Sequence, residues 1–99
     1  NMAGKPAGRL GDVQSGHGCF PPTNCISGSG NVLTNKKPAM RVGDKFVAHC
    51  CPMQGCHPPV LAAGSGSVKI NGRPAGRIGD SVACGGKVMV GSGNVLIGG

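Results

Sequence analysis

Val68-Lys69-Ile70 alternates apolar and polar side chains, the period-two signature of a half-buried strand. Asn71-Gly72 follows it. Both residues tolerate positive φ, and this pair is the strongest short-range signal for a tight hairpin turn. Residues 73–78 then read as the return strand, with Pro74 restricting it to an edge or a strand start. Residues 64–80 therefore predict one β-hairpin. Residues 28–44 predict a second, with Asn35-Lys36 as a weaker turn.

Each hairpin is assembled from two sequence elements, and both elements occur three times. Gly28-Ser29-Gly30-Asn31-Val32-Leu33 returns as Gly64-Ser65-Gly66-Ser67-Val68-Lys69-Ile70 and as Gly91-Ser92-Gly93-Asn94-Val95-Leu96-Ile97. Lys5-Pro6-Ala7-Gly8-Arg9-Leu10-Gly11-Asp12 returns as Lys37-Pro38-Ala39-Met40-Arg41-Val42-Gly43-Asp44 and as Arg73-Pro74-Ala75-Gly76-Arg77-Ile78-Gly79-Asp80. The third hairpin is split between the chain ends. The first Pro-Ala element has no strand before it and the last Gly-Ser-Gly element has no strand after it. Pairing of the ends resolves this: residues 95–97 lie beside residues 6–10, and Gly98-Gly99 meets Met2-Ala3. Three equivalent hairpins then close into a pseudo-threefold, all-β ring. An open row would leave two unpaired edges that invite aggregation.

Each repeat places an Arg three residues before an Asp: Arg9 and Asp12, Arg41 and Asp44, Arg77 and Asp80. No base or nucleophile accompanies these pairs, so they do not read as catalytic carboxylates. Asp after Gly at a strand end instead accepts backbone N–H groups in a turn, with the Arg beside it. With Pro6, Pro38 and Pro74 they form a structural repeat motif.

Composition sharpens the picture. The chain has 99 residues, with no Trp, no Tyr, two Phe, 20 Gly and 8 Pro. Gly and Pro at this density break long helices, and no apolar run approaches the roughly 18–20 residues of a membrane span. The N-terminus carries no apolar h-region of a signal peptide. So thin a core needs a staple: disulfides, a metal or oligomerisation. In a reducing cytosol, clustered Cys and His favour metal over disulfides.

The net charge is +7, from ten Lys and Arg against three Asp and no Glu. The cations are spread along the chain, with no aromatic residues between them for base stacking. That argues against nucleic acid as a partner.

Between each Gly-Asp and the next Gly-Ser-Gly lies an insert: residues 13–27, 45–63 and 81–90. All His and Cys residues fall there: His17, Cys19 and Cys25; His49, Cys50, Cys51, Cys56 and His57; Cys84. In a closed ring the inserts emerge on one side and meet on the axis. Zinc prefers four such N and S ligands in a tetrahedron. The inserts lack carboxylates, which argues against calcium or magnesium. Adjacent Cys50 and Cys51 point opposite ways in an extended chain, so one at most joins a compact site. The spacing matches neither haem attachment nor a zinc ribbon, and it leaves the ligand set open.

The three Pro-Ala-x-Arg-x-Gly-Asp copies and the Gly-Ser-Gly-Asn-Val elements resemble the PAAR-repeat proteins, over essentially the whole chain. The residue after Pro-Ala, usually Ala in that family, is Gly8, Met40 and Gly76 here. The resemblance implies a single domain over residues 1–99, shaped as a small cone. Its base docks on the threefold end of a trimeric β-helical spike, of the VgrG type of type VI secretion or the central spike of a contractile phage tail. One copy serves each trimer. The docking segments are Val32, Leu33, Val68, Ile70, Val95, Leu96 and Ile97. The resemblance also implies one zinc ion, rather than iron, held at the apex by His17, His49, His57 and Cys84. It implies assembly in the bacterial cytoplasm, followed by delivery through the injection machine or incorporation in a virion tail. The tip transiently pierces a target membrane, and effector cargo can ride on its sides. Cys19, Cys25, Cys50, Cys51 and Cys56 have no counterpart in that scheme. Pairing of Cys19 with Cys25, or of Cys51 with Cys56, is open to the chain after export but is not expected.

Two other functional classes compete with a structural tip. A small zinc hydrolase needs an open ligand position and a general base, but Glu is absent and every His is already a ligand in this scheme. A disulfide-rich extracellular binding protein would use the cysteines in pairs and hold no metal.

Overall fold

The computed structural model describes residues 4–83 and 85–99. Their ordered elements are ten short strands: β1 (Lys5–Pro6), β2 (Val13–Gln14), β3 (Thr23–Asn24), β4 (Leu33–Thr34), β5 (Lys37–Pro38), β6 (His49–Cys51), β7 (Gly55–His57), β8 (Lys69–Ile70), β9 (Arg73–Pro74) and β10 (Leu96–Ile97). They pair as five antiparallel ribbons, β1 with β10, β2 with β3, β4 with β5, β6 with β7 and β8 with β9. The molecule is elongated, 42 Å by 28 Å by 23 Å. No helix among the described residues is long and apolar enough to cross a membrane.

The two hairpins expected from the repeats are β4–β5 and β8–β9. Each turns through two residues of positive φ, Asn35 (53°) with Lys36 (68°) and Asn71 (54°) with Gly72. The split hairpin closes as well: Lys5 pairs with Ile97 and Pro6 with Leu96. Met2 and Ala3, expected beside Gly98-Gly99, lie outside the described residues. The Gly98 carbonyl accepts from Ser65 Oγ (2.6 Å) and Arg77 Nη1 (3.0 Å).

The return strands are shorter than the apolar pattern suggests. Proline has no N–H, so each ladder loses a donor at Pro6, Pro38 and Pro74. The next residue still bonds within its own hairpin, as Ala39 N–H does to Val32 O (3.0 Å). The chain then crosses to the neighbouring repeat. Arg9 bridges Ala39, Arg41 bridges Ala75, and Arg77 bridges Ala7. Around the axis Gly8 N–H donates to Gly76 O (2.8 Å), Gly76 N–H to Met40 O (2.8 Å), and Met40 N–H to Gly8 O (3.0 Å). This closed triangle is the pseudo-threefold ring. Inward-facing Ala7, Ala39 and Ala75, with Ile70 and Ile97, pack inside it.

Two repeated features hold each repeat in shape. In each Gly-Ser-Gly element the buried serine caps a turn. Ser65 Oγ, for example, accepts the N–H groups of Ser67 (3.1 Å) and Val68 (2.8 Å). The preceding glycine is required by close approach: a Cβ at Gly64 would lie 2.7 Å from the Ala75 carbonyl oxygen. In each Arg-x-Gly-Asp, the carboxylate accepts the backbone N–H of its Arg and a two-armed grip from the guanidinium. Arg77 Nε and Nη2 both sit 2.9 Å from the Asp80 oxygens. The glycine between them has φ near +90°, open to glycine at little cost. All three acids are thus cancelled internally, and the net charge of +7 is carried by the six lysines and Arg73.

Beyond the ring lies a second core of Cys25, Met40, Phe46, Leu61, Val82 and Val88. The inserts are laced around it in the same cyclic sense. Ile26 N–H donates to Lys45 O, Ala62 N–H to Ser81 O, and Met89 N–H to Val13 O. Met40, fully buried, fills the axis, because Gly8 and Gly76 leave it room. A Cβ at Gly8 would lie 2.9 Å from Met40 Sδ, and one at Gly76 3.1 Å from Met40 Cγ and 2.6 Å from Leu61 Cδ2.

Three outcomes are expected. Gly8→Ala should destabilise the protein by about 1–3 kcal/mol through overpacking, yet stabilise it in a Met40→Ala background, where a methyl fills the cavity. A double-mutant cycle on denaturant midpoints reads the change of sign. Asp80→Ala leaves a buried guanidinium unpaired and should cost about 3–5 kcal/mol in the same assay. Burial pushes the Asp44 carboxyl up, but its hydrogen bonds from Arg41 and Ser27 outweigh that and hold its pKa below the usual value. Its contribution is therefore complete above about pH 4, the value of an unfolded aspartate. It is lost as pH falls through the lower native value. Denaturation followed across that window should be less acid-sensitive in Asp44→Asn.

Candidate metal centre

The inserts bring all three histidines together. His49 and His57 face each other across the β6–β7 ribbon, which sets His49 opposite His57, Cys50 opposite Cys56 and Cys51 opposite Gly55. His17 arrives from the first insert on a tight loop, where His17 and Phe20 exchange backbone hydrogen bonds. His57 Nε2 lies 2.7 Å from His49 Nε2 and 3.4 Å from His17 Nε2. One nitrogen from each ring falls within 4.8 Å of the others. Cys84 lies outside the described residues.

The chemistry of this cluster is set by its surroundings. His49 Nδ1 is 2.8 Å from the Pro21 carbonyl. A carbonyl only accepts, so Nδ1 carries the proton and the Nε2 lone pair faces the cluster. Gln14, fully buried, holds the same loop, since its amide donates to Thr23 Oγ1 (3.0 Å) and its carbonyl accepts the Gly16 N–H (2.6 Å). Phe20 packs against all three imidazoles, with ring centroids 4.5–4.9 Å away. Desolvation, followed by the neighbouring His49 and His17, holds the His57 imidazole below the usual histidine pKa. Its neutral, ligating form is thereby favoured.

This donor set fits a metal ion. Adjacent nitrogens of a tetrahedral ion with bonds of about 2.0–2.1 Å stand about 3.3–3.4 Å apart, which is the separation between His17 and His57 and is wider than the 2.7 Å between His49 and His57. The imidazoles are of borderline softness, and no carboxylate joins them, as suits a transition metal better than calcium or magnesium.

The cysteines depart from the sequence reading, in which metal and disulfides were alternatives. The structure combines a histidine cluster with two disulfides, Cys19–Cys51 and Cys50–Cys56. Neither of the pairings weighed above, Cys19–Cys25 and Cys51–Cys56, forms. Cys25 is a buried thiol in the second core, where it donates to the Ser27 carbonyl (3.1 Å) and burial pushes its pKa up to about 11. Cys56 cannot take Cys51, because strand alternation turns Cys51 inward with His49 and leaves Cys50 outward, directly opposite Cys56. The expectation that Cys50 and Cys51 face opposite ways holds. Phe20 and Gln14 had no place in the sequence reading, because neither carries a metal-binding group. The signal for them was positional: both flank His17 in the same insert.

On the repeat hairpins, Leu33 and Leu96 are well exposed, and Val32 and Val68 partly so. Ile70 and Ile97 are buried beneath them and belong to the core. Lys69 occupies the position equivalent to Leu33 and Leu96, so the exposed apolar set is not fully threefold.

No curated protein matches the chain. A family model described as the PAAR motif matches residues 15–90, a stretch that contains the second and third inserts, all but the first two residues of the first, every His and Cys, and both unbroken hairpins. The split hairpin formed by the two ends falls outside it. With that match over most of its length, on a fold closed as a ring of three repeats, this chain belongs to the PAAR-motif family.

Proposed function

We propose that this chain is a structural tip that caps the threefold end of a trimeric β-helical spike in a contractile injection machine, of the VgrG type or of a phage tail. The 99 residues act as one PAAR-repeat domain. The observation that carries the reading is the closed triangle of hydrogen bonds among Gly8, Met40 and Gly76. A single chain that presents three near-equivalent faces about an axis matches the end of a trimer with one copy, and a cyclic partner requires such a match. Val32, Leu33, Val68, Val95 and Leu96 would supply the apolar contact, with Ile70 and Ile97 shaping it from below.

The same reading places one zinc ion on His17, His49 and His57, with Cys84 as the fourth ligand. Zinc in such a closed site supplies folding free energy rather than catalysis. Here it would tie together inserts that a thin core holds weakly. Forced unfolding is governed by the unfolding rate, so a cross-link among the inserts suits a part that is driven against a membrane. The absence of Glu supports a non-enzymatic role, and no observation favours a hydrolase. Membership of the family supports association with a secretion machine or a phage tail, and cargo on its sides is compatible with both.

Two measurements test this. Native mass spectrometry of the chain mixed with a trimeric VgrG-type spike should give one copy per trimer; three copies would overturn the cap. The purified chain should bind one zinc per molecule, and zinc at a hundredfold excess over its dissociation constant should stabilise it by about 2.7 kcal/mol. His57→Ala should lose most of that gain and match the wild type in the presence of a chelator. Unchanged zinc stoichiometry would remove His57 from the site.

A further inference from the structure

Four cysteines beside the histidine cluster are not used by the reading above. Their two disulfides span the gaps between the imidazoles. Cys50–Cys56 joins the strands of the β6–β7 ribbon one position from the facing pair His49 and His57. Cys19–Cys51 joins the loop that carries His17 to the strand that carries His49, with Cα atoms 5.5 Å apart. Each histidine is thus within two residues of a half-cystine, and the three rings are held by two covalent ties. Cys19, Cys50 and Cys56 are exposed, whereas Cys51 is buried.

We propose that Cys19, Cys50, Cys51 and Cys56 are positioning residues of the metal centre, and that their oxidation and metal binding reinforce each other. This rests on the metal reading given above. Both ties act in one direction. They remove freedom that the two inserts would otherwise lose on gathering three ligands. They also take four soft sulfur donors out of competition with the imidazoles. Each disulfide forms when two thiols transfer two electrons and two protons to a low-molecular-weight disulfide, which leaves as two thiols. Linkage makes the effect reciprocal: whatever oxidation does for zinc affinity, zinc does for the disulfides.

The experiment uses the full chain, zinc and a glutathione redox buffer. Zinc affinity, measured by competition with a chromophoric chelator, should fall roughly tenfold to a hundredfold in the pair variants Cys50→Ser/Cys56→Ser and Cys19→Ser/Cys51→Ser, the usual range for losing the supports of metal ligands. Serine offers no competing thiol, so these variants isolate positioning. The wild type needs no substitution for the reciprocal test. Saturating zinc should raise the ratio [GSH]²/[GSSG] at half-reduction, read by thiol alkylation and mass spectrometry, by the ratio of the oxidised and reduced affinities. A structural disulfide unconnected to the metal would not move. Unchanged affinity in both pair variants, or a half-reduction ratio that zinc leaves alone or lowers, would overturn the coupling. Failure of the oxidised wild type to bind zinc at all would instead overturn the metal reading beneath it.

Discussion

The structure depends on the closing of three Pro-Ala-x-Arg segments into a ring of backbone hydrogen bonds. Ribbons of two residues are too short to stand alone, since even a full two-stranded hairpin is marginal in water. Here each ribbon hands its chain to the next repeat two residues after the proline, and the last hands back to the first. Proline ends the local ladder and the small residues after it allow three backbones to approach one axis. The Arg–Asp grips then fix the exit of each segment. Buried ion pairs gain little in net stability when well-packed apolar groups could replace them. They set the direction of the chain here, and they leave the whole net charge on the surface.

The ring decides where the inserts go. Each starts from the same Gly-Asp turn, and the first two bring their histidines together. Their cyclic hydrogen bonds wrap a core in which the largest side chains are Phe46, Met40 and Leu61. That core is asymmetric where the repeats are not: Met40 occupies the axis that Gly8 and Gly76 vacate. The three equivalent positions share one volume among them, so the large side chain of Met40 is balanced by the absence of one at Gly8 and Gly76.

At the insert end the molecule uses side-chain chemistry in place of apolar mass. Three imidazoles are packed around Phe20, one is oriented by a carbonyl, and two disulfides brace the segments that carry them. The interior could not supply this stability alone, because a 99-residue chain with 20 glycines and two aromatic rings buries little apolar surface. A metal on the imidazoles would serve the same end as the disulfides by different means, since it would act on the folded state through bonds to the ion while they restrict the unfolded chain.

Much of this was legible in the chain itself. The threefold repetition, the Asn71-Gly72 turn and the unpaired elements at the two ends determined the hairpins and the pairing of β1 with β10, because register and turn chemistry are local properties. The confinement of every His to the inserts then brought His17, His49 and His57 to one place once closure was granted. What only the tertiary structure decided was which cysteine meets which, how the prolines shorten the strands, and which apolar side chains of the hairpins are buried. Ile70 and Leu96 look alike in a sequence, and so do Cys50 and Cys51. Their fates separate because alternate residues of a strand face opposite ways, and only the neighbour supplied by the folded ring determines which way is inside.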